Sequence, residues 1–128
     1  MSVTLDASAL LALLFREPGW EVVDDHLTGA CISTVNLCEV LGRLARDGVA
    51  TGPLLDALAR TAVVLVPFDI SHAEVAAAMV PHVRAHRLSL GDRACLALAL
   101  ARGEPALTAD RAWLAVADAV GVRAQCIR

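Results

Sequence analysis

The chain contains no lysine and no tyrosine, so all 11 of its basic residues are arginine. That bias is compositional, of the kind a high-GC bacterial genome produces. Aromatic residues are scarce as well. Phe15, Trp20, Phe68 and Trp113 are too few for a platform on which bases could stack. The formal net charge of −3 offers no basic field to draw in nucleic acid. Any RNA or DNA contact must therefore run through a few arginines or a bound metal. Although 57% of the residues are hydrophobic, no apolar run reaches the roughly 18 residues that a membrane span requires. No basic region precedes the first apolar residues, as it would in a signal peptide. A soluble, cytoplasmic protein without a membrane partner is expected. Cys31, Cys38, Cys95 and Cys126 show neither C-x-x-C spacing nor a zinc-type histidine pattern. Their apolar surroundings suggest small buried thiols.

What is present reads as one domain over residues 1–128, long enough to bury a core. Short apolar runs at 2–5, 30–33, 63–68, 106–108 and 122–127 are strand candidates, the third a buried one. Between them lie helical segments at 7–15, 20–27, 34–46, 52–61, 71–86, 91–102 and 110–120. Leu37, Val40, Leu41 and Leu44 mark a core face at helical spacing. Ser71 is expected to cap the long alanine-rich helix, with a bend at Pro81. Strands that are short and continuously apolar, alternating with helices, indicate a parallel sheet covered on both faces. The expected fold is a three-layer α/β/α domain with about five short, mostly parallel strands.

In such a sheet ligands bind beyond the carboxyl ends of the strands. Asp6 ends the first strand, Asp110 follows the fourth, and Asp92 stands at the mouth of the apolar helix 91–102. Glu39 can reach the same edge from its own helix. Each acid also has a plainer role. Asp6 and Asp110 could cap helices, Ser89-x-x-Asp92 fits a capping box, and Glu39 could pair with Arg43 one turn on. As a group they are harder to explain structurally. Two carboxylates about 4 Å apart repel by roughly 4 kcal/mol at an effective dielectric of 20, so a cluster must raise pKa values or bind a cation. All-oxygen ligation suits Mg²⁺ or Mn²⁺, the ions of metal-assisted phosphodiester hydrolysis. Ser8, Asn36 and Thr108 are accessory candidates, placed to orient a carboxylate or water. Arg93 and Arg111, each following an acid, are possible contacts for RNA phosphate.

Leu5-Asp6-Ala7-Ser8-Ala9-Leu10, Ser33-x-x-Asn36-x-x-Glu39-Val40, Leu90-Gly91-Asp92 and Leu107-Thr108-Ala109-Asp110-Arg111 together resemble PIN-domain ribonucleases. The similarity is greatest to the VapC-type toxins of bacterial type II toxin–antitoxin pairs, and it covers essentially the whole chain. The resemblance implies a Mg²⁺- or Mn²⁺-dependent endoribonuclease acting on structured RNA such as tRNA or rRNA. It places the acidic quartet on Asp6, Glu39, Asp92 and Asp110, with Thr108 as an accessory. It also implies a homodimer and a VapB-type antitoxin that obstructs the site. In one respect the chain departs from the pattern. Many relatives carry a further acid about three residues after the last aspartate, where this chain has Trp113, so a second metal position would be weak.

Competing readings fare worse. A phosphoacceptor receiver domain needs a lysine near its last strands. A haloacid-dehalogenase phosphatase would have an aspartate where Ser8 stands. His82 and His86 have a zinc-compatible spacing but lack a third ligand. The main rival is a catalytically inert module of the same fold, binding a partner helix through residues 7–15 and the Trp20 segment.

Overall fold

Five short strands form one all-parallel sheet in the computed structural model, which describes residues 2–128. They are β1 (Val3–Leu5), β2 (Ala30–Ser33), β3 (Val64–Val66), β4 (Ala106–Thr108) and β5 (Ala124–Cys126), in the spatial order β3-β2-β1-β4-β5. The helices are α1 (Ala7–Phe15), α2 (Trp20–Asp25), α3 (Thr34–Arg46), α4 (Gly52–Ala59), α5 (Ile70–Ala78), α6 (Val80–Val83), α7 (Leu90–Arg102) and α8 (Trp113–Ala119). Leu5 lies in register with Ile32 on one side and Leu107 on the other. Alternate residues along a strand point to opposite faces. Val3, Leu5, Ile32 and Leu107 accordingly join Leu10, Val40 and Leu58 in one core, while Ala106 joins Met79, Leu96, Trp113 and Ala117 in the other.

The run from Ala94 to Ala99 in α7 is almost completely buried, which accounts for a helix that is apolar on every side. Each buried leucine in it contributes about 2 kcal/mol. Gly103 ends the helix in the left-handed conformation, at φ 63°, which costs glycine no Cβ strain. At the amino edge of the sheet, Glu104 Oε1 accepts from Thr4 Oγ1, Cys31 Sγ and Arg102 Nε at 2.9–3.0 Å, joining β1 and β2 to the end of α7. Burial pushes the Cys31 thiol up to about 11.

The structure corrects four expectations. The third strand is not buried: Val64 and Leu65 are 50% and 38% exposed, because β3 is an edge strand open to solvent on both faces. The segment 71–86 is not one helix. It breaks after Ala78, and Pro81 sits in the first turn of α6, where its missing N–H costs nothing. Asp69, not Ser71, caps α5, accepting from His72 N in a capping box while Ser71 Oγ donates to it. Of the thiols, only Cys31 and Cys95 are buried, while Cys38 is exposed on α3. No helix among the described residues is long and apolar enough to cross a membrane.

Candidate active site

The strand order reverses direction at β1, since β2 and β3 lie on one side of it and β4 and β5 on the other. A crevice opens beyond the carboxyl ends at such a switch point. Here it is a pocket of about 290 Å³ lined by Asp6, Ala7, Ser8, Leu11, Asn36, Glu39, Asp92, Asp110 and Trp113. All four acids of the proposed quartet and the accessory residues Ser8 and Asn36 therefore meet on one wall system.

Asp6 is the innermost acid. It caps α1 through Ala9 N–H at 2.8 Å, as one plain reading expected, but it does more than cap. Ser8 Oγ donates to Oδ1 at 2.7 Å and Thr108 Oγ1 donates to Oδ2 at 2.6 Å. Each hydroxyl in turn accepts a backbone N–H from the loop after β4, Ala109 to Ser8 at 2.9 Å and Asp110 to Thr108 at 3.1 Å. The two hydroxyls thus lock β1 to β4 and fix the carboxylate between them. Burial pushes Asp6 up to about 6, against the lowering pull of these hydrogen bonds, and the charge of Asp92 adds to the rise.

Glu39 does not pair with Arg43, which instead bonds Asp47 at 3.0 Å. Its carboxylate accepts from Asn36 Nδ2 at 3.0 Å. Asn36 Nδ2 also donates to the Gly91 carbonyl at 2.9 Å. With two acceptors on the nitrogen, the amide cannot be turned over without setting oxygen against oxygen. Its Oδ1 is left buried without a partner. Partial desolvation, with Asp92 adding, holds the Glu39 carboxyl above its ordinary value, and the Asn36 bond partly offsets this. A Cβ on Gly91 would overlap the Glu39 carboxylate. Gly91 is therefore required for space, a role that sequence reading missed although the glycine beside Asp92 was its signal.

Asp92 closes the capping box of α7, Oδ2 accepting from Ser89 N at 3.0 Å while Asp92 N–H donates to Ser89 Oγ at 3.1 Å. Its other oxygen accepts from the indole N–H of Trp113 at 3.2 Å. Asp110 is exposed at the mouth and accepts from Ala112 N at 2.9 Å. Every carboxylate of the quartet is thus held by at least one donor. Arg93 is turned away, bonding the Ala76 carbonyl at 3.1 Å, and neither it nor the exposed Arg111 lines the pocket. His82 and His86 are both exposed.

Among the described residues no three His, Cys, Asp or Glu side chains converge as a ready ligand set for a metal ion. The lining nonetheless fits a hydrated hard cation. Its donors are all oxygen, the buried Asn36 Oδ1 lacks a partner, and small hard ions are held by one or two carboxylates with several waters retained.

The sequence pattern of the PIN domain family matches residues 3–119, and the chain belongs to that family. A comparison with curated proteins returns no significant match. Solved structures of the same fold include DNA-bound VapBC from Salmonella typhimurium, 14% identical, with a TM-score of 0.75 over 100% of this chain and 99% of that one. VapBC2 from Rickettsia felis bound to a promoter DNA fragment is 12% identical, with a TM-score of 0.72 over 98% of both chains. A toxin–antitoxin complex from Klebsiella pneumoniae is 18% identical, with a TM-score of 0.71 over 88% of this chain and 90% of that one.

Proposed function

We propose that this chain is a divalent-metal-dependent endoribonuclease, the toxin of a toxin–antitoxin pair, cutting phosphodiester bonds in structured RNA such as tRNA or rRNA in the bacterial cytoplasm. The observation that carries the reading is the pocket beyond β1 and β4, where Asp6, Glu39, Asp92 and Asp110 share one wall and each is already oriented by a donor. Asp6, Glu39, Asp92 and Asp110 would hold Mg²⁺ or Mn²⁺, with Asn36 orienting Glu39 through its Nδ2. When bound, such an ion lowers the pKa of water, supplies attraction for phosphate and stabilises developing charge.

The protein's own part is positional and electrostatic. Ser8 and Thr108 keep Asp6 from rotating, so its oxygens face the pocket without the entropy cost of a free side chain. Asp6, raised to about 6 by burial, changes its proton occupancy close to neutral pH. Arg111, exposed and next in the chain to Asp110, would meet an RNA phosphate. The toxin–antitoxin complexes that share the fold support a VapB-type antitoxin as partner; a homodimer is the assembly we propose with it.

Two variants test the reading. Asp92→Asn keeps one of the two acceptors that receive Ser89 N–H and Trp113 N–H, so it should cost about 1 kcal/mol of stability. It should abolish metal-dependent RNA cleavage. Retained cleavage would reduce Asp92 to a helix cap. Calorimetric titration of Mg²⁺ or Mn²⁺ into wild type and Asp6→Asn/Asp92→Asn should show binding only in the former. Wild-type protein that binds neither ion, with or without RNA, would favour the inert binding module.

A further inference from the structure

We infer that Trp113 is a positioning residue of the acidic site, holding Asp92 for the cation through its indole N–H. This inference rests on the metal-dependent reading above. Trp113 is 1% exposed and packs with Leu96 and Ala117 in the core beneath α7, yet it also lines the acidic pocket. A buried indole N–H needs an acceptor, and here the acceptor is Asp92 Oδ1 at 3.2 Å. The other Asp92 oxygen is taken by Ser89 N–H at 3.0 Å. With one donor on each oxygen, the plane of the carboxylate is fixed from two sides, and each oxygen keeps a further lone pair.

An indole nitrogen can donate but cannot accept, so Trp113 contributes no ligand and no charge. What it supplies is a donor that orients Asp92, the neighbour that would hold the cation. Its rigid two-torsion side chain is anchored in the core, so the bond does not depend on a mobile loop. Trp20, the other tryptophan, lies under the Arg16 guanidinium and is not part of the pocket lining. Trp113 therefore doubles as a native optical reporter of the site.

The test has two arms, both in the Trp20→Phe background, which leaves Trp113 as the single tryptophan. In the first, Mn²⁺, a paramagnetic quencher, is titrated while emission is followed. Saturable quenching with a midpoint equal to the calorimetric Kd, lost in Asp92→Asn, is expected. Calorimetric binding with unchanged emission would place the ion elsewhere and overturn the inference. In the second arm, Trp113 is replaced biosynthetically by 3-benzothienylalanine, which keeps the ring shape and removes the N–H. Mn²⁺ affinity should fall roughly tenfold, the low end for removing a group that orients a metal ligand, with the melting temperature held within a few degrees. Unchanged affinity would overturn the role of Trp113 and leave the nuclease reading standing. A parent protein that binds no Mn²⁺, with or without RNA, would overturn both.

Discussion

Asp6 is buried to 4% exposure with three donors on its carboxylate, and burial still outweighs them. Its folded pKa of about 6 lies above the ordinary 3.8. Between those values the folded state binds more protons than the unfolded one, so this group's contribution to stability falls as pH rises through the window. The full shift corresponds to about 3 kcal/mol above pH 7. Asparagine caps a helix as well as aspartate does, and its amide can still meet Ala9 N–H, Ser8 and Thr108. Asp6→Asn should therefore match wild type in urea unfolding at pH 4 and exceed it by about 1–3 kcal/mol at pH 7.5. A difference that does not change with pH would mean the carboxylate is not desolvated as the structure places it. The sequence showed that Asp6 ends a strand and precedes a helix, which fixes both its cap and its place at the sheet edge. The pairing of Glu39 was not legible. Spacing allowed Arg43, and only the three-dimensional approach of Gly91 and Asn36 draws Glu39 to the pocket while Arg43 turns to Asp47.

Where α3 meets α7, the first turn of one helix lies against a carboxylate of the other. Gly91 leaves the volume that the Glu39 carboxylate fills, and its carbonyl anchors Asn36. An added methyl would displace only the end of a flexible side chain that has solvent beside it. Gly91→Ala should therefore change stability by less than about 1 kcal/mol, helped by alanine's better helix propensity, while RNA cleavage falls as far as in Glu39→Ala. Combining the two substitutions should cause no further loss of activity, which a double-mutant cycle would show. A further loss in the double variant would mean that Gly91 serves something besides Glu39. Elements with a strong local signal were readable to the residue, as in α1 between Asp6 and Phe15 or β2 between Gly29 and Thr34. The exposure of β3 was not, because an apolar run says nothing about whether a neighbour covers it. Nor was the choice of Asp69 over Ser71 as cap, since both residue types accept from an N–H and only the backbone path selects one.

For the molecule as a whole, an acidic site on a chain of net charge −3 creates a standing electrostatic cost that a cation would remove. The sheet order puts the acids together, since it sets β1 beside β4, and no local pattern in the sequence encodes that adjacency; it followed only from the general rule for parallel sheets. A cation that binds the folded state alone adds about 2.7 kcal/mol at 100 times its Kd. Unfolding entropy of about 2.1 cal/mol/K per residue over 128 residues turns that into a rise of roughly 10 °C in melting temperature. Binding requires deprotonated carboxylates, and Asp6 protonates near 6. The metal-dependent rise should therefore be full at pH 7.5 and shrink as pH falls through about 6, opposite in sign to the contribution of Asp6 to the stability of the metal-free protein. Sodium chloride at matched ionic strength, which only screens, should give a much smaller rise at any pH. Melting curves with chelator, Mn²⁺ and sodium chloride at pH 5 and pH 7.5 separate these effects. Equal rises from Mn²⁺ and sodium chloride would mean that the acids relieve their repulsion by general screening, and that the pocket selects no ion.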